Sequence, residues 1–259
     1  NEDALSFAGT NTRFNQLTVD GVRQNDDFGL NNNGYPTQRS PISLDAIEAV
    51  NVSVAPYSVI NNGFSGGQIN AVTQSGTNEF HGSAFYERTD DDFRGDSLEG
   101  VTFDAPFKQE VYGATLGGPI LKNRLFFFGA YEKFKGTLGF DEGPAGSGAA
   151  VEIPRITAQA IDTFNADTQR IYGYDPGTAV TGAFPVSDEK WLGKIDWNIT
   201  DNHRASFTYQ NTKGNSLNGR VSDTFAQGNS VSQPRIGLSS HQYNKTEELI
   251  SYNVQVNSD

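Results

Sequence analysis

Gly63-Phe64-Ser65-Gly66-Gly67 fits G-x-S-x-G, the pattern that lifts a nucleophilic serine onto a strand–turn–helix elbow for acyl transfer. That chemistry needs a helix directly after the serine and a histidine within reach. Here a β-prone run, Gln68 to Thr73, follows, and His81, His203 and His241 fall at strand starts or in loops. A glycine-rich turn is the better reading. Asn25-Asp26-Asp27 and Thr89-Asp90-Asp91-Asp92 offer the oxygen ligands calcium takes, but without the alternating spacing of an EF-hand loop. They read as solvated loop charge. Gly143-Pro144-Ala145-Gly146-Ser147-Gly148 has the glycine density of a phosphate loop, yet no strand–helix unit surrounds it, so it reads as flexible linker. With no cysteine, thiolate catalysis, disulfides and cysteine-ligated metals are excluded. The expectation is a non-enzyme with no catalytic residue, no metal site and no cofactor.

The 259 residues carry 19 Lys+Arg against 31 Asp+Glu, a net charge of −12. No stretch gathers cations into a phosphate-tracking patch, which argues against a nucleic-acid partner. Charged residues are only 19%, while 28 Gly, 18 Phe and 10 Tyr favour β structure. No apolar run reaches the 18 residues of a transmembrane helix; the longest, Leu125 to Tyr131, is strand-sized. There is neither a start methionine nor a leader, so Asn1 reads as an internal boundary and says nothing of compartment.

Two textures divide the chain. Residues 1–78 are turn-dense, with short β-prone runs at Phe14–Val19, Ala49–Val54 and Gln68–Thr73 and one or two helical turns at Ser43–Glu48, after Pro41. This predicts a small α+β unit. From Glu79 onward, long alternating strands take over. In one, Trp191, Gly193, Ile195, Trp197 and Ile199 oppose Lys194, Asp196, Asn198 and Thr200. In the next, Ala205, Phe207 and Tyr209 oppose Arg204, Ser206, Thr208 and Gln210. Ile250, Tyr252, Val254 and Val256 repeat the pattern, as do Tyr112, Ala114, Leu116 and Ile120. Strands are expected near 79–88, 109–120, 125–135, 189–200, 203–213 and 247–258. Leu121–Arg124 and Thr200–His203 are tight turns, whereas 136–188 and 214–245 are long excursions. Ten-residue alternation with short turns at one end and long loops at the other is the signature of a transmembrane β-barrel. A soluble sandwich strand also alternates. The first long loop predicts a helix over Thr157–Tyr172, capped by Thr157 and stopped by Gly173. Trp191 and Trp197, roughly 20 Å apart along a strand, together with Tyr209 and Tyr252, are candidates for membrane-interface aromatics.

Several segments resemble, in family order, the TonB-dependent outer-membrane receptors, and especially their Oar-like branch. Phe14-Asn15-Gln16-Leu17-Thr18-Val19-Asp20-Gly21-Val22 is similar to the "VDG" strand of the receptor plug, and Asp45–Val52 to the plug segment after it. Gly66–Ser83 resembles the plug-to-barrel junction. Leu116-Gly117-Gly118-Pro119-Ile120 with Leu125-Phe126-Phe127-Phe128-Gly129 resembles the second and third barrel strands, and Leu192–Trp197 a later one. Ala55-Pro56-Tyr57 and Asn62-Gly63 depart from the family's Arg-Gly-Pro and Tyr-Gly. Nothing matches the N-terminal TonB-contacting box or a terminal barrel strand.

The resemblance implies a mainly β chain: 1–78 as the C-terminal part of an α+β plug, then 79–259 as the first six or so antiparallel strands of a large transmembrane β-barrel. Such barrels have 22 strands around a plug. Six cannot close one, and open edges are not tolerated in lipid, so the polypeptide is expected to be much longer. The implied activity is TonB-coupled transport of an extracellular cargo across the bacterial outer membrane. The implied partners are outer-membrane lipids and the TonB–ExbB–ExbD complex, the latter through a segment absent from this sequence. By the same resemblance, Arg23, Gln24, Asn25, Asp26, Asp27, Phe28, Asn31, Asn32, Asn33 and Tyr35 would line the cargo-facing surface of the plug, although an ordinary Asn/Gly turn has the same composition. Two other functions fit the pattern: a surface adhesin or assembly component without energy coupling, and a soluble β-sandwich carbohydrate-active module.

Overall fold

The computed structural model describes residues 7, 9, 11, 14–31, 33–54, 66–93, 95, 97–98, 100–102, 106–179, 182–219 and 234–258. Ser65 and the rest of the G-x-S-x-G serine turn up to it, together with Asn32, lie outside them. The strands are β1 (Gln16–Val19), β2 (Val22–Arg23), β3 (Ile47–Val54), β4 (Gly67–Thr73), β5 (His81–Asp90), β6 (Ser97–Leu98), β7 (Val101–Thr102), β8 (Phe107–Leu121), β9 (Leu125–Phe140), β10 (Glu142–Ala145), β11 (Val151–Thr157), β12 (Gly182–Asn198), β13 (His203–Asn218) and β14 (Tyr243–Ser258). The helix α1 spans Ala158–Tyr172, and a 3-10 turn spans Leu44–Ala46.

Six long strands form an antiparallel wall in the order β14-β13-β12-β9-β8-β5, each paired with its neighbour among them in sequence. Its alternation is reversed relative to a water-soluble sheet. On β12, Trp191 (50% exposed), Ile195 and Trp197 (49%) face away from the rest of the molecule, while Lys190, Leu192 and Lys194 are buried against it. Leu116 and Ile120 on β8 and Ile250, Tyr252, Val254 and Val256 on β14 are likewise exposed. Contiguous apolar surface on this scale marks contact with something other than water.

A second sheet, in the order β2-β1-β4-β3, lies on the polar side of this wall. Asp20 (φ 48°) and Gly21 (φ 83°) form the two-residue turn between β1 and β2, the positive-φ pair that Asp-Gly hairpins favour. β1 then pairs in parallel with β4, and β3 pairs antiparallel on the other side of β4. Val19, Ile42, Ala46 and Ala71 from this inner unit pack on Phe128, Ala130 and Leu192 from the wall, forming one small shared core.

The wall strands begin and end beyond the expected limits at the long-loop end. β12 starts at Gly182 rather than near 189, and β9 runs to Phe140 rather than 135, because Gly182–Trp197 pairs continuously with Phe140–Leu125. The hydropathy pattern stops where the apolar face stops, but backbone pairing continues through the polar residues. Gly143–Gly148 is not a linker. Glu142–Ala145 pairs in parallel with β11, and the amides of Gly146 and Gly148 each donate to the Glu152 carboxylate at 2.9 Å. Those two contacts hold the Glu152 carboxyl below its ordinary pKa. The predicted helix forms as expected: Thr157 Oγ1 accepts from Ala160 N–H at 3.2 Å, and Gly173 closes it at φ 64°.

Candidate functional site

The inner unit is held on the wall mainly by polar groups, and Asp20 is the centre of the first contact. The β1–β2 turn aims its carboxylate at the end of β4, where Thr73 N–H (2.9 Å) and Thr73 Oγ1–H (2.6 Å) donate to it. Lys194 on β12 sits 3.9 Å from the same carboxylate and donates to Thr73 O and Oγ1 at 3.2 and 3.1 Å. The backbone oxygen of Asp20 accepts from Asn253 and Gln255 on β14, at 3.0 and 2.9 Å. Lys194 is 9% exposed, and burying an ammonium is costly without such hydrogen-bond partners.

A second contact lies toward the long-loop end. Lys190 bridges Glu132 (2.6 Å) and Asp188 (3.3 Å), all nearly fully buried on the wall's inner face. Arg39 of the inner unit approaches Asp188 at 4.0 Å and lies 4.1 Å over the Phe134 ring. The Pro41 carbonyl accepts from Gln210 Nε2 (2.9 Å) and Thr212 Oγ1 (2.6 Å). Asn31 donates to Glu247 at 2.7 Å and accepts from Lys245 at 2.8 Å. A lumen-facing carboxylate or ammonium on a strand thus meets a specific group of the inner unit. Asp20, Arg39, Asp188, Lys190 and Lys194 were not singled out from sequence. The signal was present in the charges recurring at 188, 190, 194 and 196 on the face opposite the tryptophans.

The loop residues Arg23 to Tyr35 divide into two sets. Gln24, Asn31 and Asn33 are buried. Asn25 accepts from Leu17 N–H and donates to Asn15 O, and Asp26 accepts from the amides of Phe28, Gly29 and Asn31. These residues build the loop. Tyr35 is half-buried, whereas Arg23 and Asp27, paired at 2.6 Å, are exposed, as is Phe28 (88%). The acidic runs also serve local structure: Asp91 accepts from Phe107 N–H, and Asp90 pairs with Arg88.

On the wall's outer face, Trp191 packs on Tyr131 with ring centroids 4.3 Å apart, and Tyr131 lies 6.4 Å from Tyr112. Tyr209 and Tyr252 pack in a tilted arrangement with centroids 5.4 Å apart. Tyr86 is opposite Tyr112, and Gly193 links Trp191 to the Tyr209 level. The result is an aromatic band across six strands. Beyond it, toward the long loops, Lys133 pairs with Glu189 and Lys108 with Glu110. Trp197 lies on the same face nearer the short turns.

A strand wall with its apolar face outward, its polar face inward and a small sheet docked inside belongs to the β-barrel proteins of the bacterial outer membrane. Residues 72–181 match the family described as outer membrane beta barrel domain. The chain is 30% identical over 254 residues to the TonB-dependent transporter Oar of Myxococcus xanthus, a match covering 90% of this chain and 21% of that protein. In fold it is similar to a variant of the ferric enterobactin receptor PfeA from Pseudomonas aeruginosa (TM-score 0.56, 16% identity, 96% of this chain and 31% of that one). It is similar too to the siderophore receptor PirA from Acinetobacter baumannii (0.54, 16%, 95% and 30%). The outer membrane transporter YddB from Escherichia coli also matches (0.51, 12%, 98% and 39%). The chain is thus similar to the TonB-dependent outer-membrane transporters, Oar among them, and spans about a fifth of that curated relative's length.

Proposed function

We propose that the protein is a TonB-dependent transporter that binds an extracellular cargo and passes it through a plugged barrel. Residues 1–78 are the C-terminal part of the plug, and 79–259 are the first six strands of the barrel with their extracellular loops. TonB, energised by ExbB and ExbD, supplies the pull on the plug. The apex of the Arg23–Tyr35 loop, where Arg23, Asp27 and Phe28 stand exposed, faces the cargo. The outward aromatic band, Trp191, Tyr209 and Tyr252 among it, sits at the outer membrane interface, with Trp197 toward the periplasmic one.

The observation that supports this most strongly is the character of the plug–wall contact. A permanently fixed insert would be held best by apolar packing. Here the shared core is only seven residues, with Phe128 its single aromatic, and most named contacts are hydrogen bonds that water can replace. Such a contact can open under load and close again. The test uses the full-length receptor in cells, with Ala71→Cys, a 2% exposed plug position, probed by a periplasmic maleimide. Labelling is expected to rise several-fold when TonB is present and the inner membrane is energised. Equal labelling with and without TonB refutes the coupling and favours an adhesin or assembly role.

A further inference from the structure

The plug is fastened asymmetrically. Toward β12, β13 and β14 it is tied at Asp20, Thr73, Asn31 and Pro41 by the hydrogen bonds described above. Toward β5 and β8, Ser83 Oγ–H reaches Asp45 at 3.0 Å, and a cavity of about 640 Å³ opens between plug and wall. Leu44 and Asp45 of the 3-10 turn form one side of it; Phe85, Glu87 and Val111 form the other. Its cations are neutralised: Arg39 by Asp188, and Lys190 by Glu132 and Asp188. Among the described residues Asp45 and Glu87 take part in no ion pair, so the cavity keeps two uncompensated carboxylates facing an aromatic ring.

Resting on the transporter reading, we infer that cargo passes the plug through this cavity, along β5 and β8, and that the route selects positively charged groups. Among the described residues, opening on this side breaks few contacts, whereas opening beside β13 and β14 must break the Asp20, Pro41 and Asn31 contacts together. Phe85 and Leu44 supply apolar surface, and Asp45 and Glu87 supply an attractive potential concentrated by the low-dielectric wall. An amine- or guanidinium-bearing cargo, such as a basic peptide segment, has the matching chemistry.

The experiment places single cysteines at Val111, in the cavity, and at Thr212, on the fastened side, in the full-length receptor in outer membranes. The probes are a trimethylammonium-ethyl and a sulfonato-ethyl methanethiosulfonate, each rate normalised to a free thiol. Val111→Cys is expected to react about tenfold faster with the cationic reagent. That preference should fall to near unity when Asp45→Asn and Glu87→Gln are added. TonB-driven acceleration should appear at Val111→Cys and not at Thr212→Cys. Equal rates for the two reagents, or acceleration only at Thr212→Cys, overturns the inference while leaving transport intact. No TonB-dependent change at either cysteine, with the charge preference present, instead overturns the transport reading and the route with it.

Discussion

Asp20→Asn removes one charge from the inner unit and leaves its shape unchanged. Asparagine tolerates the φ of 48° that Asp20 adopts, so the β1–β2 turn is preserved. The amide oxygen can still accept from Thr73 N–H. Lost are the charge-assisted bond from Thr73 Oγ1, at 2.6 Å, and the counter-charge 3.9 Å from Lys194. A hydrogen bond to a charged group contributes about 1.5–3 kcal/mol, and removing one member of a buried pair costs about 3–5 kcal/mol. Because Lys194 keeps both Thr73 acceptors, the lower part of the range applies, about 2–3 kcal/mol. At 1.4 kcal/mol per tenfold, local opening of β4 becomes about 30- to 140-fold more frequent. The assay is hydrogen exchange with mass spectrometry on a peptide covering Gly67–Thr73 of the full-length receptor in detergent. Adding Lys194→Met removes the ammonium left without its counter-charge and is expected to recover at least half of the protection, the mark of a coupled pair. Acceleration below threefold in the single variant would mean that Asp20 does not hold β4, and the argument from its contacts would be wrong.

The pH response of the Glu152 loop has a fixed sign. The amides of Gly146 and Gly148 lower its carboxyl pKa, so the order they confer is complete above the unfolded value of about 4.3 and is lost as pH falls through the lowered folded value. Exchange at the Gly146 and Gly148 amides should quicken over that acid range and be quick throughout in Glu152→Gln. Gly177 lies where two long loops meet: Ser239 N–H donates to Thr178 O at 2.9 Å, and Ala179 bridges Leu238. At φ +83° and with the Ser239 hydroxyl against the place a Cβ would take, Gly177→Ala should free the loops and speed their cleavage by external protease, at a cost of about 1–3 kcal/mol. On the outer face between the two tryptophans, Ile195→Arg should destabilise the receptor refolded in vesicles by about 2–4 kcal/mol in a urea titration, whereas the same change at a loop-end outward position such as Ser187 should cost under about 1 kcal/mol.

The wall was legible in sequence because lipid imposes a period of two on every strand that crosses it, and Trp191, Ile195 and Trp197 write that period without reference to any partner. The helix was legible because Thr157 and Gly173 act locally. The polar face was another matter. Lys194 and Asp188 read simply as water-facing until the inner sheet is placed against them, and their partners lie more than a hundred residues away. The Arg23–Tyr35 loop shows the converse. Its Asn and Asp side chains carry the donors and acceptors of a binding surface, yet Asn25 uses them on β1 and Asn15, Asp26 on the loop and Asn31 on β14. Composition records the capacity to form hydrogen bonds and not their direction. Gly143–Gly148 was misread for a similar reason: glycine can signal slack chain or amides exposed for a carboxylate, and only Glu152, four residues on, distinguishes them.

The wall and the plug differ in how far along the chain their contacts reach, and this orders their assembly. Each wall strand pairs with the preceding wall strand, so the sheet can grow by successive hairpins as the chain is delivered. The plug's ties span much longer intervals: 188 residues from Asp20 to Thr208, 216 from Asn31 to Glu247 and 235 from Asp20 to Gln255. Closing loops of that length is slow relative to zipping neighbours. Through that interval Lys190, Lys194 and Glu132 must stay hydrated with no plug beside them. The polar lining is therefore a folding requirement as well as a fastening: it keeps the growing wall wet on its inner side until the earlier-made inner unit can be captured by strands made after it.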